Sequence, residues 1–112
     1  MARAGKGTDW LEKAIKSQNY FLRSRQDIVQ FLRHIEATTE IGWPAAINDR
    51  NIEAWVKHGY VFKNSNGPGR CKVAMRVEQS NGYAISVRAL NDFVWGAWGI
   101  RLPAFEVAAS QA

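Results

Sequence analysis

Cysteine and histidine are scarce in this chain: Cys71 stands alone, with His34 and His58 as the two histidines. A lone thiol excludes an intramolecular disulfide, which fits a reducing compartment and a cytoplasmic location. One thiol and two scattered imidazoles do not supply the four ligands of a structural zinc site, so no metal or other cofactor is expected. Long apolar runs are also missing, and nothing approaches the roughly 20 residues of a membrane-spanning helix. The opening MARAGKGTDW carries charge with no apolar segment behind it, so no secretory signal is expected. No Ser/His/Asp or Cys/His constellation stands out. Asp27 and Glu36 are too far apart along one segment to act as an acid/base pair, and a non-enzymatic protein is the expectation.

What is present suits a globular chain. Its 112 residues are 46% hydrophobic and 22% charged, enough apolar material to bury one core. A single domain over 9–105 is expected, with a short basic arm at 1–8 carrying Arg3 and Lys6 and a small polar tail at 106–112.

Periodicity then assigns elements. Asp9 and Glu12 mark a helix start, and Trp10, Leu11, Ala14, Ile15, Phe21 and Leu22 predict a helix over about 9–22. Ser24 is a good N-cap, and Ile28, Val29, Phe31, Leu32 and Ile35 predict a second helix over about 25–37. Asn48 is the next cap, with Ile52, Trp55 and Val56 as the buried face of a short helix over about 49–58; Gly59 fits the left-handed position that closes it. Strand patterns follow in YVFK (60–63), in RCKVAMRV, and in YAISVRA (83–89). In RCKVAMRV, Cys71, Val73, Met75 and Val77 alternate with Lys72, Ala74 and Arg76.

Register selects the turn between the last two strands. A two-residue Asn81-Gly82 turn sets Arg76 opposite Val87 and Met75 opposite Arg88, mixing the faces. A three-residue Ser80-Asn81-Gly82 loop sets Val77 opposite Ile85, Met75 opposite Val87 and Val73 opposite Ala89. The latter predicts one wet face carrying Lys72, Arg76 and Arg88. The segment after Leu90 is the most apolar of the chain. Either Asn91 caps a short helix there, containing Phe93, Val94, Trp95, Ala97 and Trp98, or it forms a strand or irregular lid. The expected fold class is α+β: three N-terminal helices, then a three-stranded antiparallel sheet, then a Trp-rich segment. In element order alone this is winged-helix-like.

Charge is segregated. The formal net charge is +5, and residues 57–89 hold six basic residues against Glu78 alone, so all of it falls there. Such a region favours an anionic partner. The expected function is a regulatory nucleic-acid binder, with duplex DNA favoured over RNA. Arg50 and Lys57 on the third helix face the groove or its rim. Lys63, Asn64, Asn66 and Arg70 contact the backbone from a wing, and Lys72, Arg76 and Arg88 extend the basic surface. Trp95 and Trp98 are the candidates for binding a partner protein or a second copy of the chain. The alternative expectation is a protein-interaction module, a small inhibitor or adaptor, whose basic hairpin engages an acidic protein surface.

Overall fold

Helix α2 (Arg25–Thr38) begins where Ser24 accepts a hydrogen bond from the Asp27 amide at 3.1 Å. Helix α3 (Asp49–Lys57) begins the same way, with Asn48 accepting from the Asn51 amide at 2.9 Å. Each cap satisfies an amide that the first turn leaves without a helical acceptor. Gly59 closes α3 at φ +82°, the left-handed conformation that a β-carbon disfavours. These elements belong to a computed structural model that describes residues 9–63, 69–77 and 84–105. The expected arm with Arg3 and Lys6, wing residues Asn64 and Asn66, the Ser80-Asn81-Gly82 loop and the 106–112 tail lie outside the described residues.

The chain runs α1 (Asp9–Lys16), β1 (Phe21–Leu22), α2, α3, β2 (Tyr60–Lys63), β3 (Arg70–Val73), β4 (Ile85–Ser86) and α4 (Val87–Trp98), ending in a 3-10 turn at Pro103–Phe105. The fold is α+β, as expected. Among the described residues it has four helices and two separate two-stranded antiparallel sheets, β1–β4 and β2–β3. The described residues do not form three helices followed by one three-stranded sheet, the winged-helix-like order expected.

Two local differences account for this. Helix α1 stops at Lys16, because polar Lys16, Ser17, Gln18 and Asn19 interrupt the apolar stripe before Phe21. Phe21 and Leu22 instead pair with Ser86 and Ile85, and the Val87 amide donates to the Tyr20 carbonyl at 2.8 Å. The second difference is at 83–89. Ser86 accepts from the Ala89 amide at 3.1 Å and caps a helix. Val87, Leu90, Phe93, Val94 and Ala97 form its buried stripe. That helical repeat runs through twelve residues, while the period-two pattern ends within seven, and the longer stripe prevails. The expected pairs Val77–Ile85, Met75–Val87 and Val73–Ala89 therefore do not form, and Arg88 leaves the sheet for α4. Asn91 is not the cap. Its side-chain oxygen accepts from the Leu102 amide at 2.8 Å and so holds the chain after α4 against the helix.

The core joins α2, α3 and α4 around Phe31, Ile52, Leu90 and Phe93, all essentially without solvent contact. Beside it Trp98 meets Trp55, Tyr60 and Phe93 edge-on, at centroid distances of 5.4 to 5.5 Å. Trp43 donates its indole N–H to the Leu32 carbonyl at 2.7 Å, which satisfies that buried polar group. No helix among the described residues is long and apolar enough to cross a membrane.

Candidate nucleic-acid interface

The β2–β3 ladder sets its own faces. Tyr60 lies opposite Val73, Val61 opposite Lys72, Phe62 opposite Cys71 and Lys63 opposite Arg70. Cross-strand partners share a face, and successive residues alternate between faces. Tyr60, Phe62, Cys71 and Val73 are half-buried toward the aromatic cluster, while Val61, Arg70 and Lys72 are exposed. The alternation continues past the ladder: Ala74 and Arg76 are exposed, Met75 is buried and Val77 is half-buried. The Met75 amide donates to the Trp55 carbonyl at 3.2 Å and so fixes the phase.

Arg70, Lys72 and Arg76 thus reach solvent from one side of one segment. Between Glu53 and Glu78 the sequence has no acidic residue. Among the described residues, no carboxylate lies within ion-pair distance of these three cations. The stem of Lys72 lies over Gly59, where a β-carbon would fall 2.8 Å from its γ-carbon. Gly59 is therefore required twice, by its backbone conformation and by the close approach of that stem. Lys63 is held opposite Arg70 by the ladder; its side chain lies outside the described residues.

The exposed face of α3 is built differently. Arg50 is exposed, but Asp49 and Glu53 both engage Arg25 of α2, at 3.2 and 3.0 Å. Glu53 also meets Lys57, one turn along, at 2.9 Å. The hydrogen bond and charge of Lys57, helped by Arg25, hold the Glu53 carboxyl below its ordinary pKa. On the face expected to present Arg50 and Lys57 to a groove, Lys57 is thus part of a network of both signs with Glu53, Arg25 and Asp49.

Arg88, on α4, donates to Gln18 Oε1 at 3.1 Å and lies 5.6 Å over the Phe105 ring. It ties α4 to the turn after α1 and does not join Lys72 and Arg76 on a sheet face. The two tryptophans expected to bind a partner also separate. Trp98 is half-buried in the aromatic cluster, whereas Trp95 is 49% exposed, with the Arg101 guanidinium 4.4 Å above its ring. Sequence reasoning overlooked this stack, and also Asp92, which shares a cleft of about 270 Å³ with Lys72 and Arg76. Both become legible once the helix is taken from Val87, because Arg88, Asp92 and Trp95 then fall together on the side away from the buried stripe.

No family model matches the chain, and no curated protein or solved structure matches it either.

Proposed function

We propose that the chain is a non-enzymatic, cytoplasmic nucleic-acid-binding protein that grips the sugar-phosphate backbone with the outer side of its β2–β3 hairpin. The observation that carries this reading is the exposed series Arg70, Lys72 and Arg76, with no carboxylate at ion-pair distance among the described residues, on one side of a segment whose other side is packed. Cations that neutralise phosphates release condensed counterions, which drives binding and makes it depend on salt. In this reading Lys63, Asn64 and Asn66 add further contacts to the backbone. Arg50 and Lys57 have a lesser part, because α3 offers little net charge to a groove. A regulatory role in transcription requires sequence readout, which this surface does not by itself provide.

The test is titration of labelled duplex DNA, single-stranded DNA and RNA at two salt concentrations. Binding that weakens steeply with salt supports the reading. Absence of binding to all three at low salt would overturn it in favour of the second reading, an acidic protein partner. That second reading has one specific support: Val61, 47% exposed, sits opposite Lys72 on the same face, and phosphates have no use for an apolar side chain there.

A further inference from the structure

Trp95 stands apart from the other tryptophans. Trp43 and Trp55 are buried and Trp10 and Trp98 are half-buried, while Trp95 leaves half its surface in water. Among the described residues only Val61 is a comparably exposed large apolar side chain. Its place on α4 is specific. Asp92, one turn earlier, lines a cleft together with Lys72 and Arg76. Gly96, the next residue, packs against Val73, where a β-carbon would lie 3.3 Å from both γ-carbons. The absence of a side chain at 96 lets α4 approach β3 closely, so the turn that carries Trp95 runs beside the strand that carries Lys72.

The indole is already in a stack. Arg101, itself exposed, lies 4.4 Å above it and presents a planar cation on an aromatic surface. Nucleobases stack on aromatic rings and on guanidinium planes alike, and this contact is open only to bases that are not stacked within a duplex. Within β3, Arg70 and Lys72 stand on one face about 6.6 Å apart along the strand.

Resting on the backbone-binding reading above, we propose that the preferred ligand is a strand with unpaired bases, one base stacking on the Trp95–Arg101 pair while Arg76, Lys72 and Arg70 take the adjoining phosphates. A stacking platform beside a cationic track is the general arrangement for binding single strands, and the Arg101 guanidinium over the indole adds charge complementary to the strand.

The experiment compares a labelled oligothymidylate with a duplex of equal length, at equal salt, for the full chain and for Trp95→Ala and Trp95→Phe. The expected result is tighter binding of the single strand. Trp95→Ala should weaken it about 5- to 100-fold, Trp95→Phe should retain most of it, and duplex affinity should move by less than about 2-fold. Unchanged thermal melts would show that both variants fold. Duplex binding as tight as single-strand binding, with Trp95→Ala neutral or equally harmful to both, overturns this inference and leaves the backbone reading standing. Binding to neither ligand at low salt overturns both.

Discussion

Helix α3 and the β2–β3 hairpin are adjacent in the chain, joined through Gly59, and both present basic residues to solvent. On α3 those cations are interleaved with the carboxylates Asp49 and Glu53, which Arg25 ties to α2. On the hairpin, Arg70, Lys72 and Arg76 face outward with no carboxylate in reach among the described residues. A count of basic residues treats the two alike. Their fields differ, because attraction for a polyanion follows the net charge of the surface, and an ion pair a few ångströms across contributes little beyond a Debye length.

The sharpest way to break this comparison is to remove each set of cations in turn. The triple variant Arg70→Ala, Lys72→Ala, Arg76→Ala should weaken nucleic-acid binding at low salt by about 100-fold or more, whereas Arg50→Ala with Lys57→Ala should weaken it by less than about 5-fold. Fluorescence anisotropy with a labelled oligonucleotide checks both. Equal losses would mean that the two surfaces act as one.

The joint between them comes next. Gly59→Ala should destabilise the protein by about 1–2 kcal/mol, because a β-carbon is strained at this left-handed position and meets the Lys72 stem. Chemical denaturation measures it. A neutral result would show that the turn and the Lys72 stem adjust without cost.

A smaller effect concerns the one carboxylate in the cleft beside the hairpin cations. Asp92→Asn should strengthen binding by about 2- to 5-fold at low salt, through loss of like-charge repulsion with phosphate, and the gain should fade as salt rises. Weaker binding would assign Asp92 an attractive contact with the ligand.

Glu53 gives the smallest expected effect. Its carboxyl is held below the ordinary value of 4.5 by Lys57 and Arg25. A carboxyl whose folded pKa is depressed stabilises above its unfolded value, and that contribution disappears as pH falls through the lower folded value. Glu53→Gln should therefore melt slightly earlier than the parent at neutral pH and together with it in acid below that range. The difference will be small because the pair is exposed and screened. A gap that persists in acid would point to packing rather than charge.

Much of this organisation was legible in the sequence, and the reasons for the exceptions are physical. Ser24, Asn48 and Gly59 located the ends of α2 and α3 because caps and left-handed turns depend on a few neighbouring residues. The alternation through Cys71, Val73, Met75 and Val77 correctly separated Lys72 and Arg76 from the packed side. Strand partners were another matter. RCKVAMRV and YAISVRA look like partners because they are close in sequence, whereas β3 pairs back to β2 and Ile85 pairs with the distant Leu22. A period of two in a seven-residue window also lost to the longer helical stripe of α4, which carried Arg88 away from the other cations. The compensation of α3 was half visible: Glu53 and Lys57 are one turn apart on a helix, but Arg25 reaches Asp49 and Glu53 only through the packing of α2 on α3.

The most direct measurement of the central claim is the slope of log affinity against log salt for the parent, the hairpin triple variant and the α3 double variant. If the hairpin cations meet phosphates, the triple variant should reduce the slope by about two on single strands or about three on duplex DNA. The α3 double variant should leave the slope nearly unchanged. A slope that falls for the α3 variant and holds for the hairpin variant would contradict the account.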